Sequence, residues 1–448
     1  MGSKLLDFIR SWYFAFAIAL FVFCPELRRI ADFYTSAHKL SPFSVLPTAS
    51  LCAAALFTLS QWKYLGTTFR VISAIWLAAF AVALAIGAVS TSPIAAGFDL
   101  LEFCSPIVFG IILAATHEDL VVLYRRVAGT MLVLSLISGT YAIYQYIAPP
   151  AWDVFWVLNS GLVSTGLPEP FGLRVFGTLN SYAAFAHFTA LSLILNLPRL
   201  GRKNWRTVVA YVPCMIALLL TSDRTAWIAF ALGLVVYSAV SPKRVVVYKS
   251  LGLTVVVCAA VSTALLFSFK GTDDVVSLFQ QRFASLTDIG EDASFNDRQR
   301  QTAHALHLGL SEPLGQGLGS IGSAAIAGAS GSTMTLDNGY LSRLVELGVL
   351  GFVAYLVTLA IALLTAWSAF RKSVTVEATA SSLPSILATS LALQVMLIWI
   401  DFSTDSHTGL LGVFFWYSIF NVSTYGLVAR KGAFVETKPS LRRRAAAT

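Results

Sequence analysis

Apolar residues in this chain come in long unbroken runs rather than in alternation. Runs near Trp12–Cys24, Phe43–Leu59, Val71–Val89, Leu100–Ala115 and Ala128–Ile147 are followed by others near Tyr182–Leu197, Thr207–Leu220, Thr225–Val240, Ser250–Phe269, Tyr340–Ala369, Leu383–Ile400 and Thr408–Val428. Runs of this kind suit the crossing of about 30 Å of hydrocarbon, and the lack of period-two alternation predicts helices rather than barrel strands. The expected fold class is an all-α polytopic membrane protein with about twelve transmembrane helices. An even number of spans puts both termini on one face.

Composition agrees with the pattern. The 448 residues are 56% hydrophobic and 12% charged, with a mean hydropathy of +0.73, too apolar for a soluble domain of this length. Charge then orients the chain. With the N-terminus inside, the outward segments hold Arg28, Arg29, Lys39, Arg174, Arg224, Lys270, Arg282, Arg298, Arg300 and Arg343, while the remaining 21 of the 31 basic residues fall in inward segments. Every inward connection is basic, as the positive-inside rule requires, so both termini are expected in the cytoplasm. The net charge of +8 is accounted for by topology and does not call for a nucleic-acid partner. Lys4 and Arg10 before an apolar run resemble a secretory signal, but no small-residue cleavage site follows and Phe23 precedes Cys24, so an uncleaved first span is expected. Cys24, Cys52, Cys104, Cys214 and Cys258 lack metal-ligand spacing and read as apolar thiols.

These signals divide the chain into spans 1–5 (residues 1–147), an outward connection (148–181), spans 6–9 (182–269), a large outward loop (270–338), spans 10–12 (339–429) and a basic cytoplasmic tail (430–448). The first connection opens with Pro149-Pro150 and carries the aromatic stretch Trp152–Trp156, which suits a helix at the membrane interface. In the large loop, acidic residues outnumber basic ones, and loops of such length are usually functional or disordered. Phe295–Leu310 reads as a helix with Ala303, Leu306 and Leu310 as its apolar stripe and Asp297, Arg300, His304 and His307 on the other side. His304 and His307 have a spacing that could hold a metal, but no further ligands accompany them, and a solvated face explains them. Gly315, Gly317, Gly319 and Gly322 follow; they fit a ligand-cradling backbone and a flexible loop equally well.

Arg174, Arg224, Arg298, Arg300 and Arg343 lie in or near three polar junctions between spans. Ser222 or Asp223 can cap the helix that begins at Arg224, and Asn180-Ser181 can cap another just after Arg174. Helix N-termini and guanidinium groups both suit phosphate oxygens, so the pattern suggests an anion site; headgroup contacts or pairing with Asp223 or Glu346 would be the plainer reading of any one arginine.

Arg174-Val-Phe-Gly-Thr-Leu-Asn180, Thr221-Ser-Asp-Arg224-Thr-Ala-Trp227, Pro313-Leu-Gly-Gln-Gly-Leu-Gly319, Asp337-Asn-Gly-Tyr-Leu341 and Leu344-Val-Glu-Leu-Gly-Val-Leu-Gly351 resemble the O-antigen ligase and Wzy-type polysaccharide polymerase superfamily. Pro25-Glu-Leu-Arg-Arg29 is similar to exopolysaccharide polymerases of that group. The resemblance covers the whole layout, with its motifs in about Phe171–Gly351. It implies a GT-C-like membrane fold and an inner-membrane, inverting, metal-independent glycosyltransferase that needs no cofactor. The donor and acceptor would be polyprenyl-diphosphate-linked oligosaccharides met at the periplasmic face, and a chain-length regulator and a flippase of the same pathway would be partners. On this resemblance Arg174, Arg224, and Arg298 or Arg300, face the diphosphate and stabilise charge developing on it.

Ligases of the superfamily carry His-Asn where this chain has Asp337-Asn338. Asp337 could serve as the base for the acceptor hydroxyl, or simply cap the next helix. Asn180, Asn338, Tyr340, Glu346 and His304 are possible supporting residues, with Glu346 also placed to pair with Arg343. The missing His favours polymerisation of repeat units over ligation. A ligase or protein O-oligosaccharyltransferase is the alternative within the class, and a lipid-linked oligosaccharide flippase the alternative outside it. The flippase is disfavoured because the spans look nearly uncharged and show no internal repeat.

Overall fold

A computed structural model describes residues 2–35, 41–159, 165–200, 205–241, 248–250, 252–253, 256, 293–322, 325, 336–376 and 382–430. Its helices are α1 (Gly2–Thr35), α2 (Pro42–Thr58), α3 (Thr67–Ser90), α4 (Pro93–Ala115), α5 (Leu120–Ile147), α6 (Ala151–Asn159), α7 (Tyr182–Leu195), α8 (Leu197–Leu200), α9 (Trp205–Leu220), α10 (Arg224–Val240), α11 (Ala293–Ser311), α12 (Gly339–Val376), α13 (Leu383–Ile400) and α14 (Gly409–Arg430). A 3-10 turn, Leu59–Tyr64, extends α2. Among the described residues the β-structure is a single isolated bridge, Gly166 to Leu173.

Seven described spans are long and apolar enough to cross a membrane, and α7, α9 and α10 are shorter apolar helices. The chain is thus an all-α, multi-pass membrane protein. Each expected run has its helix except Ser250–Phe269, which lies mostly outside the described residues, as do 270–292, Cys258 and the tail after Arg430. One apolar core runs through the bundle, with α13 central to it: this helix packs on α7, α10, α12 and α14. Cys24 and Cys214 are buried and Cys52 and Cys104 partly so, all as free thiols.

The chain departs from the sequence reading where polar groups find partners. α1 continues through Pro25 to Thr35, past the expected end at Cys24, because Glu26, Arg29 and Asp32 are buried against other elements. α6 forms directly after Pro149-Pro150, yet its Asp153 is fully buried, so this helix is docked on α1 as well as being rich in aromatics. On α11, Ala303, Leu306 and Leu310 are exposed, which overturns the expected stripe. The seated face is Ala305, Leu308 and Gly309: Ala305 packs with Ile321 and Val345, and Gly309 is so close to Leu344 that a Cβ would fall 2.5 Å from Leu344 Cγ. Small residues won over large ones there because the backbones approach closely.

The glycine-rich segment is neither a ligand cradle nor a free loop over 315–322. It is wedged between helices, with its successive amides spent on protein acceptors. Gln316 N and Gly317 N donate to the Val345 and Glu346 carbonyls (2.8 and 3.1 Å), Leu318 N to the Ala83 carbonyl (2.9 Å), and Gly319 N to Asp99 Oδ2 (3.0 Å). The acceptors on α12 are available because Gly348 (φ 64°, ψ −175°) breaks that helix, leaving carbonyls that a continuous helix would use internally. Gly315 and Gly348 meet backbone to backbone, and a Cβ on Gly348 would overlap the Pro313 carbonyl.

Gly348→Ala should therefore lower the thermal midpoint of the purified protein, since its backbone conformation alone costs a side-chain-bearing residue about 1–3 kcal/mol. Gly426→Ala, where a Cβ meets nothing within 4 Å, should leave the midpoint in place. Equal midpoints for the two variants would rule out the interlock.

Candidate functional site

Polar side chains collect at one end of the bundle, where α1, α3, α5, α9 and α13 end and α4, α7, α10, α12 and α14 begin. Residues 174–181, between the β-bridge and α7, contribute Arg174. Its guanidinium donates from Nε to the Thr221 carbonyl (3.1 Å) and from Nη2 to the Ser222 carbonyl (2.9 Å), and it stacks 3.5 Å from the centroid of the Tyr182 ring. Those carbonyls belong to the turn between α9 and α10, which is tight enough to put Ser222 at φ 53°. Arg174 is thereby fixed beside the segment that carries Arg224, which stands exposed on the first turn of α10.

Capping settles which groups the helix ends expend. Asp223, rather than Ser222, caps α10 by accepting from Ala226 N at 3.1 Å, and Ser181, rather than Asn180, caps α7 by accepting from Ala184 N at 3.2 Å. Both caps occupy amides that a free helix N-terminus would offer to an anion, so the positive charge of Arg174 and Arg224 carries more of any anion recognition than the helix ends do.

The α13 C-terminal turn connects this corner to the Asp337 junction. Trp399 Nε1 donates to the Thr225 carbonyl on the first turn of α10 (3.3 Å). Two residues on, the Asp401 carbonyl accepts from Gly339 N (2.8 Å), and the Tyr340 hydroxyl donates to the Ile398 carbonyl (2.8 Å). Residues 398–401 thus bridge the start of α10, with Arg224, and the start of α12, next to Asp337. Asn338 is the residue that caps α12: its Oδ1 accepts from Leu341 N at 3.1 Å. The capping role considered for Asp337 falls to its neighbour, while Asp337 itself is exposed.

The loop arginines are placed differently. Arg300, His304 and His307 lie on the exposed face of α11, which is seated on α12 rather than on α10. The Arg298 side chain lies outside the described residues. Among the described residues no group of three or more His, Cys, Asp or Glu is arranged to hold a metal ion.

Arg343 does not join an anion site. It is buried, pairs with Asp405 and with Glu346 (2.7 Å), and lies 4.1 Å over the Phe103 ring. Asp99 and Glu102 on α4 face the same centre, as their electrostatic coupling to Arg343 shows. An arginine so surrounded by carboxylates is a structural cation. Next to it, Asp401 Oδ2 accepts from the Tyr355 hydroxyl (2.5 Å), and His407 Nδ1 lies 2.9 Å from that hydroxyl and 3.0 Å from Ser406 Oγ. The impression that the spans are nearly uncharged is corrected here, since α4 and α12 carry Asp99, Glu102, Arg343 and Glu346 inside the bundle. Signals existed in the sequence: two carboxylates in the apolar Pro93–Ala115 stretch, and Asp401, Asp405 and His407 in one short connection.

Arg343→Ala is expected to destabilise the fold by about 3–5 kcal/mol, the usual penalty for leaving buried ions without their partner. Thermal unfolding of the detergent-solubilised variant tests this; an unchanged midpoint would show that the carboxylates are satisfied without it.

Residues 209–356, from α9 to the middle of α12, match the family described as O-Antigen ligase. No curated protein matches the chain. The family match supports a Wzy- or ligase-type glycosyl-transfer enzyme, with lipid-linked oligosaccharides as substrates and membrane lipids around it. Through this segment, which holds Arg224, α11 and Asp337, the chain is similar to the O-antigen ligase/Wzy-type superfamily.

Proposed function

We propose that the protein is a polysaccharide polymerase, which transfers a growing glycan from polyprenyl diphosphate to the sugar hydroxyl of a lipid-linked repeat unit and releases polyprenyl diphosphate. The product would be an exopolysaccharide, capsule or O-antigen chain. The observation that supports this reading best is the convergence around the α13 terminus: Arg174 bound to the 221–222 carbonyls, Arg224 two residues on, and the Asp337 junction tied to the same turn through Gly339 and Asp401. Cations that meet the departing diphosphate and a carboxylate near the incoming hydroxyl are the two ends of an inverting displacement.

In this scheme Arg174 and Arg224 stabilise charge as it develops on the diphosphate oxygens. Preorganised donors are worth most there, because holding them in place needs no further reorganisation during reaction. The carbonyl bonds and the Tyr182 ring give Arg174 that fixed position. Asp337 takes the proton of the acceptor hydroxyl as the glycosidic bond to the diphosphate breaks and the new one forms. Arg298 and Arg300 on α11 would complete the donor contacts when the lipid-linked glycan is bound. The chemistry belongs at the periplasmic face of a bacterial inner membrane, with cytoplasmic termini, since nucleotide sugars are absent there and the donor arrives already activated on its lipid. The position of Asp337, where ligases carry a histidine, favours polymerisation; a ligase or protein O-oligosaccharyltransferase is the second reading.

Arg174→Ala and Arg224→Ala should each lower turnover by about 10²–10³-fold, and Asp337→Ala should abolish polymer, with membrane insertion unchanged in all three. Wild-type polymer from all three variants would remove the site. Purified protein given a defined lipid-linked repeat unit should yield a size ladder; one transfer to a different acceptor would identify a ligase, and no new glycosidic bond would point to transport. Activity should also persist after exhaustive chelation, and loss restored by a divalent ion would overturn the metal-free mechanism.

A further inference from the structure

The segment that delivers Arg174 is buried but has no regular structure. Val175, Phe176, Gly177, Thr178 and Leu179 are all inside the protein, between an isolated bridge and the start of α7. Irregular backbone in an apolar surrounding needs polar partners from elsewhere, and their positions dictate its path. Here the partners come from α1 and α5.

Gln145, fully buried on α5, accepts from Phe176 N (2.9 Å) and Gly177 N (3.1 Å) through one amide oxygen. Ser138, two turns earlier, accepts from Thr178 N (3.1 Å) and bonds the Thr178 hydroxyl (2.8 Å). Arg29 on α1 donates to the Gly177 carbonyl (2.7 Å) and to that of Leu179, and packs 4.8 Å from the Phe176 ring centroid. Each of these groups is itself clamped. Arg29 pairs with Glu26 and with Asp153 Oδ1 (2.8 Å), and Asp153 Oδ2 accepts from Tyr141 (2.6 Å) and from Gln145 Nε2 (2.7 Å). Trp152 Nε1 donates to Glu26 Oε1 (2.8 Å), which closes the network onto α6.

We propose that Gln145 and Arg29 are positioning residues for Arg174. They hold the chain two, three and five residues beyond it, so that the guanidinium is delivered onto the 221–222 turn rather than left to find its own place. This inference rests on the donor-binding role proposed for Arg174, and it assigns a task to Arg29, an outward basic residue that charge counting leaves unexplained. The contacts of the network are with residues 176–179 and those of Arg174 with the 221–222 turn, so the network would act on the donor through Arg174.

The test uses the full-length purified protein and a defined lipid-linked repeat unit. Gln145→Leu removes the two amide contacts while leaving Asp153 bonded to Arg29 and Tyr141, and Ser138→Ala probes the same segment without touching a charge. Gln145→Leu should lower kcat/KM per folded molecule by about tenfold or more, as small displacements of a reacting group do, beyond whatever the unpaired Phe176 and Gly177 amides take from the thermal midpoint. Ser138→Ala should act in the same direction. In an Arg174→Lys background either substitution should add little, within about threefold, because coupled groups fail additivity. Losses that multiply fully, activity that merely tracks the folded fraction, or wild-type kinetics in both variants would overturn the positioning role while leaving the role of Arg174 intact. Wild-type kinetics in Arg174→Lys and Arg174→Ala alike would instead overturn the donor site, and this inference with it.

Discussion

Two arginines buried among carboxylates hold the polar end of this bundle together. Arg29 joins α1 to α6 and to the irregular segment before α7, while Arg343 joins α12 to α4 and to the connection between α13 and α14. In a low-dielectric surrounding neither sign of charge is tolerable alone, and a guanidinium has enough donors to serve several acceptors from different elements at once. The helices are therefore locked in register by charge at the same end where the irregular segment before α7 lies. A bundle held by apolar contacts alone would leave helix ends with much less definite spacing, because apolar packing in lipid is weakly directional.

A second constraint is close approach of backbones. Gly315, Gly317, Gly319 and Gly348 have positive φ, and each would bring a Cβ into another backbone. The wedge they permit ties α11 to the ends of α3, α4 and α12, so the loop helix is mounted on the same framework that places Asp337. Three of the outward arginines are held in different ways: Arg174 by carbonyls and a ring, Arg224 by the first turn of a capped helix, and Arg300 by a helix seated through Ala305 and Gly309. Function in such a site depends on parts that are distant in sequence keeping their spacing.

Much of the fold was legible in the apolar runs. Helix type and the places of most spans follow from length and period, and the loop helix was found nearly to the residue, Phe295–Leu310 against Ala293–Ser311. Its seated face was misread, since large apolar residues were expected to pack and the actual contact uses small ones. The motif residues Arg174, Arg224 and Asp337 were visible as polar residues at span ends. What they touch was not visible: Arg174 finds its carbonyls 47 and 48 residues away, and Arg29 reaches 148 and 150 residues to Gly177 and Leu179.

The sequence by itself determined that this chain is a helical membrane protein with polar junctions at one set of span ends, because hydrocarbon thickness and internal backbone bonding leave few other ways to arrange such runs. Charge sign and motif order also marked which junctions could meet an anion. Only the tertiary structure decided which arginines are instead enclosed by carboxylates. Arg29 and Arg343 carry the same charge as Arg174 and Arg224, yet the first two are enclosed by Glu26 and Asp153 or by Glu346 and Asp405, and the difference lies in carboxylates delivered from other elements. A charge acquires its role from its neighbours, and in a folded chain most of those neighbours are far away in sequence.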